Sequence, residues 1–355
     1  MFAAACALAA AALAVAWIAN PRATRVSNAK RHSEPPLSPS RAPISAADFY
    51  GQYHGHPLRA LDSLHAALRD QNLSVAWLAG DSSLDNKHWL GGSPVVRHVA
   101  LQRGNMRHTD CGRLPAAYAP AFEPGAIGLE DVAHHLAHAL AVAGSASTAG
   151  SAHFGALNCA VEESTLYDRE SELLAHDTYV RDHIEAGDVL VVSVGGNDIG
   201  LHQSLRTLVS VGVLSRLPVW LIERLPAWAL GNMRDLFGTQ LERYVGRLTE
   251  RTRPRAVIVC MYYYPSLAGS GWPDPVLRAL GYEATPQKLQ RVIDTLFERV
   301  TRRIQVAGVR VVPVALARVL DCTQEGDYVQ RVEPSSQGGR KMAARFAHEI
   351  ASLID

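Results

Sequence analysis

Four apolar runs constrain this chain more than any other feature. They read "LSVAWLAG" (73–80), "DVLVVSVGG" (188–196), "RAVIVCMYYY" (255–264) and "VRVVPVALARVL" (309–320). A strand with one wet face alternates polar and apolar residues, whereas a strand covered on both faces reads as a continuous, β-branched run. Helical patterns at 58–70, 170–186, 238–251 and 286–306 lie around these runs. Such alternation predicts a mainly parallel sheet with helices on both faces, a three-layer α/β/α sandwich. A fifth strand is expected at 97–104 ("RHVALQRG") or at 156–161 ("ALNCAV"), and the sequence shows no internal repeat.

In sheets of this kind reactive groups gather at the carboxyl ends of the strands. Polar turns sit at those ends here. "WLAGDSSLDNKHWL" (77–90) places Ser82 on a turn from a buried strand into a helix, after Gly80, which permits the turn. Backbone N–H groups at the start of that helix can meet an oxyanion. Asp81, Ser82 and Ser83 would equally serve as helix caps. "VVSVGGNDIG" (191–200) ends a second strand in Gly195 and Gly196, followed by Asn197 and Asp198. Glycines let backbone approach a ligand, and an Asn amide suits a developing oxyanion. The same four residues also make an ordinary turn. "DYVQRVEPSSQGGRKMA" (327–343) is a third polar turn, opening a C-terminal helix.

Together these strings resemble a known family. "GDSS" (80–83) and "GGND" (195–198) look like blocks one and three of the GDSL, or SGNH, hydrolases. "NCAVEESTLYDR" (158–169) falls where their second block lies, and "EPSSQGGRKMA" (333–343) resembles their fifth, usually Asp-x-x-His-Pro before a Gly and a helix. The resemblance covers roughly residues 73–353 and is most specific to a eukaryotic, mostly protist and algal branch. It implies a flavodoxin-like α/β/α fold and acyl-ester hydrolysis. Ser82 would be the nucleophile and a backbone donor to the oxyanion, and Asn197 a side-chain donor. Gly80, Asp81, Gly195, Gly196 and Asp198 would surround them. Asn158, Glu163, His202, Tyr264 and Ser335 are candidates for the pocket wall. Two positions depart from the family pattern. The oxyanion glycine of the second block falls near Glu163. The catalytic histidine falls on Glu333, and its aspartate on Gln330.

A carboxylate base is chemically coherent. Histidine starts near pKa ~6.5 and glutamate near ~4.3, a gap worth roughly 3 kcal/mol of driving force. Burial without a cation raises a carboxylate pKa and narrows that gap. Aspartate fixes a histidine tautomer, which glutamate lacks, so Gln330 spares Glu333 a second charge. A histidine from elsewhere, with His202 better placed than His88, and an inactive binding site are the alternatives. "HHLAHAL" (134–140) puts His134 and His138 at i, i+4, but no adjacent Glu completes a metal motif, so surface histidines are expected. Asp85, Asn86 and Lys87 are expected to cap the helix or be solvated, with lining the entrance as the alternative, and Arg331 and Lys341 to be solvated, with contact to an anionic head group as the alternative. One tyrosine of "MYYYP" (261–265) would face substrate.

Other features bound the rest. The net charge of +1 gives no electrostatic reason for a nucleic-acid partner. Cysteines at 6, 111, 159, 260 and 322, without a C-x-x-C pair, make neither a disulfide framework nor a zinc site, and Cys260 reads as a buried hydrophobe. No metal or organic cofactor is implied. Residues 2–19 form an 18-residue apolar run, with Arg22, Arg25, Lys30 and Arg31 after it. A signal anchor attaching the chain to a membrane is expected, with a cleaved signal or an organelle transit peptide as alternatives. The Pro-rich stretch at about 21–45 reads as a tether, leaving one domain at 46–355. Insertions are expected at about 105–152 and 205–237. The second carries Trp220 and Trp228 and would be a lid or acyl-chain wall, or else a helix pair broken at Pro218 and Pro226. The leading expectation is a serine esterase for a small-molecule or lipid ester, acylated carbohydrate included, acting through acyl-Ser82. A ligand-binding or scaffold protein and an acyltransferase are the alternatives.

Overall fold

The structure, a computed structural model, describes residues 42–92, 94–104, 110–146, 153–200, 217–225 and 230–354. The apolar run at 2–19, most of the proline-rich tether, His202 and Trp228 lie outside the described residues. No helix among the described residues is long and apolar enough to cross a membrane.

Five parallel strands form the central sheet: β1 (Ser74–Gly80), β2 (Phe154–Asn158), β3 (Val189–Ser193), β4 (Ala256–Met261) and β5 (Val311–Ala315). Their order is β2-β1-β3-β4-β5, and every neighbouring pair is parallel. This is a doubly wound order that reverses direction at β1 and β3. The three inner strands, β1, β3 and β4, are buried along almost their whole length, which is why they read as unbroken apolar runs, and the edge strand β2 is buried as well. β5 is only half-buried over its first three residues and contains Pro313, which an edge strand tolerates.

Of the two segments considered for the fifth strand, the later one is correct. Residues 97–104 belong largely to a helix, Pro94–Gln102. Arg97, Ala100 and Leu101 are buried while His98 and Val99 are exposed, a helical spacing rather than an alternation. Arg97 Nη1 donates to the carbonyls of Lys87, His88 and Leu90, which fixes that face inward. The insertion at 105–152 contains a short antiparallel ribbon, Cys111–Arg113 with Ile127–Leu129, ahead of a helix at Val132–Ala146.

Helices α1 (Leu58–Asp70) and α3 (Ala175–His183) pack on the face that carries Trp77, whose ring lies 5.0 Å from His65 and 6.1 Å from Tyr179. Helix α2 (Val132–Ala146) packs against β2 and against the C-terminal helix α7 (Ser336–Ala351). Between them in sequence come α4 (Leu241–Leu248), α5 (Asp274–Ala279) and α6 (Pro286–Arg299). The amino end of the sheet is pinned by Asp188, fully buried, which accepts from Val75 N, Trp77 Nε1 and the Arg69 guanidinium. Those donors offset the cost of taking the carboxylate out of water.

At the opposite end, Gly80 lets β1 turn. It has φ of +148°, and a Cβ there would sit 1.8 Å from Ser193 O on the neighbouring strand. Gly80→Ala is therefore expected to cost on the order of 4 kcal/mol or more, since neither strand can retreat. Urea denaturation checks this, and a native-like midpoint would show that the two strands are not clamped.

Candidate active site

The loops at the carboxyl ends of β1, β2, β3 and β4, with the turn before α7, meet at the sheet's switch point. The β1 loop carries Ser82 and the β3 loop carries Asn197. Asp81 joins these two loops. Its Oδ1 accepts from Ser83 N at 3.1 Å and Ser83 Oγ at 2.8 Å. Its Oδ2 accepts from Gly195 N at 3.2 Å and from the Tyr262 hydroxyl at the end of β4. Burial pushes the Asp81 carboxyl up, and the hydrogen bonds from Tyr262 and Ser83 pull it back. Gly195 (φ +115°) and Gly196 leave no room for side chains, because a Cβ would meet Phe237 at 3.1 Å and Tyr262 at 2.9 Å respectively. Asp198 accepts from Leu166 N and Tyr167 N at 2.9 and 3.1 Å, tying the β3 turn to the β2 loop; burial raises its pKa to about 7.

Ser82, Asn197 and Glu333 line one cavity of about 160 Å³. Their chain positions are far apart, so only the folded sheet brings them together. Asn197 Nδ2 donates to Ser164 O at 3.2 Å, which orients the amide and leaves its second N–H for another acceptor. No hydrogen bond joins the Ser82 N–H to a described residue. Glu333, 2 % exposed, accepts at Oε1 from Trp272 Nε1 at 3.1 Å, while its Oε2 is buried without a hydrogen-bond partner. Burial raises the Glu333 pKa to about 8, against the opposing pull of Ser82 and Trp272; the negative charges of Asp81 and Glu163 raise it further. The Ser82 hydroxyl is close enough to lower the proton affinity of the carboxylate. The arrangement offers a nucleophile, a buried base whose affinity for protons lies in the histidine range or above, and two oxyanion donors.

Other candidates fall elsewhere. Asn158 is a structural amide, donating to Leu84 O and accepting from Ala160 N. Ser335 caps α7 by accepting from Gly338 N at 3.0 Å. Tyr264 turns its hydroxyl to Asp294 on α6, and it is Tyr262 and Tyr263 that reach the cavity wall. Glu163 has φ of +58°, the conformation glycine would favour at that point, and its Oε1 accepts from Tyr53. None of Asn158, Glu163, Tyr264, Ser335 or any described histidine lines the cavity. Among the described residues no group of His, Cys, Asp and Glu is placed to hold a metal ion. Of the histidines at 134, 135 and 138, His134 is buried, contrary to the surface expectation, and only His138 is exposed.

Several charged residues expected at the surface are also buried. Lys87 is 1 % exposed and pairs with Asp85 at 2.5 Å, because Asp85 is fixed by Gly55 N and Glu162 N and needs a cation. Arg331 is 5 % exposed and held by Asp274 at 2.9 Å and Ser266 O. Lys341, by contrast, keeps a partly exposed side chain and pairs with the buried Asp327 at 2.6 Å.

Three supporting residues were not singled out from sequence. Trp272 orients the Glu333 carboxyl; its only signal is a lone tryptophan in a Gly-Ser-Pro loop just after β4. Glu162, beside the expected Glu163, is the glutamate that is fully buried. Arg169, paired with Asp177 at 2.8 Å, donates to Gly80 O at 3.0 Å and so braces the serine turn from below. Of the 205–237 insertion, Met233 and Phe237 contribute to the cavity, and Trp220 is 58 % exposed.

No family model matches the chain, and no curated protein does. Solved structures with a related chain path include a lipase/acylhydrolase from Enterococcus faecalis, 13 % identical, covering 80 % of this chain and 98 % of that one, with a TM-score of 0.39. They also include Est24, a carbohydrate acetylesterase from Sinorhizobium meliloti, 14 % identical over 79 % of this chain and 99 % of that one, TM-score 0.35. The inhibitor-bound aryl esterase of M. smegmatis gives 14 % identity, 79 % and 99 % coverage and a TM-score of 0.36. Likeness of this degree assigns no residue a role.

Proposed function

We propose that the chain is a serine esterase of SGNH type that hydrolyses carboxylic esters bearing an apolar acyl group. One observation supports this above the others: Ser82, Asn197 and a buried, proton-hungry Glu333 line the same cavity. In this reading Glu333 removes the Ser82 proton as Oγ attacks the ester carbonyl. The Ser82 N–H and the Asn197 amide hold the oxyanion. The proton on Glu333 then passes to the departing alkoxide, leaving acyl-Ser82 and free alcohol. Water, activated by the same carboxylate, releases the acid and restores the serine. Trp272 keeps the carboxyl in one orientation, the task an aspartate performs for a histidine base.

The remaining cavity wall points to the acyl side. Phe237, Leu280, Leu289, Val292 and Leu296, largely from α5, α6 and their flanks, leave a surface that is almost wholly apolar. Each methylene buried there is worth about 0.8 kcal/mol, roughly a three- to fourfold gain in kcat/KM. With p-nitrophenyl esters of increasing chain length, kcat/KM is expected to climb by that factor per methylene until the cavity is full, then fall. A flat profile from acetyl to dodecanoyl would remove the acyl-pocket assignment. Absence of turnover with every ester, in protein that still binds them, would mark a ligand-binding protein instead.

A further inference from the structure

The turn that leads into Glu333 is strained and held from outside. It joins two short strands, Tyr328–Val329 and Glu333–Pro334, whose antiparallel ladder is only two residue pairs long. A hairpin of that size does not fix its own turn. Within it Gln330 (φ +51°) and Arg331 (φ +70°) are both left-handed, a conformation that residues with a side chain keep only where their surroundings impose it.

Those surroundings are the loop after β4, residues 263–274, which bonds four successive residues of the turn. Trp272 N donates to Gln330 Oε1 at 3.1 Å. Ser266 N donates to Arg331 O at 2.8 Å, and Arg331 Nε donates back to Ser266 O at 3.2 Å. The Tyr263 hydroxyl donates to Val332 O at 2.7 Å, and Trp272 Nε1 to Glu333 Oε1 at 3.1 Å. The buried Arg331 guanidinium reaches further, to Asp274 at the start of α5 at 2.9 Å and to Glu283 at 3.5 Å. The two backbones also lie against each other: a Cβ on Gly271 would sit 2.4 Å from Gln330 O.

We propose that Gln330 and Arg331 are positioning residues for the base: their side chains clamp the turn onto the β4 loop, Gln330 by fixing Trp272 and Arg331 by tying Ser266 and Asp274, so that the Trp272 indole holds the Glu333 carboxyl in one place. Neither side chain lines the cavity, so neither touches substrate. Gln330 holds the backbone N–H of the residue whose indole holds Glu333, a two-step relay from an exposed amide to a buried carboxyl. Arg331 fixes the same turn from its buried side. Through Asp274 it also keeps the turn in register with α5, which supplies Val276 and Leu277 to the cavity wall. The effect on turnover rests on Glu333 being the base; the clamp on its carboxyl does not.

Nitrogen-15 spectra of the full chain with labelled tryptophan read the clamp without any turnover. The Trp272 indole N–H is the signal missing in Trp272→Phe, and its exchange with solvent is expected to quicken by roughly tenfold or more in Gln330→Met and in Arg331→Met. Gln330→Met keeps the length of the side chain and loses only the acceptor, so its thermal midpoint should stay within about 3 °C of wild type. With a preferred ester, kcat is expected to fall about 3- to 10-fold in Gln330→Met and up to about 10²-fold in Arg331→Met, the cost of a base displaced by up to about 1 Å. KM should stay within about twofold in Gln330→Met, which leaves the cavity wall untouched. Arg331→Lys keeps a charge for Asp274 but not the bond to Ser266 O, and its kcat should fall between those of wild type and Arg331→Met. If Arg331→Met does not fold, Gln330→Met decides alone. A Gln330→Met protein with wild-type indole exchange and wild-type kcat overturns the assignment, as does a loss of kcat with the Trp272 exchange unmoved. Faster exchange in a protein that hydrolyses no ester would remove the esterase reading and leave the clamp standing.

Discussion

Glu333→Gln is expected to lower kcat/KM for a preferred ester by about 10²- to 10⁴-fold, the usual loss when a general base is removed, and to make the protein more stable at alkaline pH. The two effects have one cause. Burial raises the Glu333 pKa from 4.5 to about 8. Between those values the folded protein holds a proton at Glu333 that the unfolded chain has released. Stability therefore falls as pH rises through that window and levels off above it; below it both forms are protonated and the group contributes nothing. The full penalty is on the order of 5 kcal/mol. Glutamine keeps the shape and the Trp272 acceptor without the charge, although its amide N–H₂ lacks a partner at the Oε2 position and gives back about 1 kcal/mol. Urea denaturation at pH 5 and pH 9 should show wild type losing stability that the variant keeps, beyond the loss from Asp198 that both proteins share. A variant that is slower but not more stable at pH 9 would mean that Glu333 is not the strained group.

Ser82→Ala is the second large effect and differs from the first in its stability outcome. Turnover is expected to fall by about 10⁴- to 10⁶-fold, as when a serine nucleophile is removed from a hydrolase. Stability should change by no more than about 1 kcal/mol, because the one interaction lost is the pull of the Ser82 hydroxyl on the Glu333 carboxyl. Side-by-side kinetics and thermal melts check both halves. Residual turnover near wild type would place the chemistry on another group. A large loss of stability would recast Ser82 as a structural cap of its turn.

How much of this was legible beforehand differs by residue. The inner strands were legible because burial on both faces leaves a continuous apolar run, and the turns after β1 and β3 because a parallel sheet sends its loops to one edge. Position 333 could be aligned with the expected base by the Pro-Ser and Gly that follow it, but its raised pKa depends on burial, which no spacing encodes. Glu162 and Glu163 are indistinguishable as letters. The left-handed backbone at Glu163 decides which one turns inward. Trp272 reaches Glu333 from 61 residues away, so its role exists only once the β4 loop has folded back. Arg331 and Lys87 look like solvated cations until Asp274 and Asp85 are seen to hold them inside. The helix at Pro94–Gln102 defeated a strand reading because the inward turn of Arg97 is set by carbonyls of the preceding loop.

The central claim is that Ser82 is made nucleophilic by a buried glutamate across one cavity. Fluorophosphonate treatment of the folded protein above pH 8, followed by peptide mapping, tests it most directly. A single adduct on Ser82, absent in Ser82→Ala and strongly slowed in Glu333→Gln, is the expected result; folded protein that takes up no label, or an adduct that forms at full rate without the carboxylate, would contradict it.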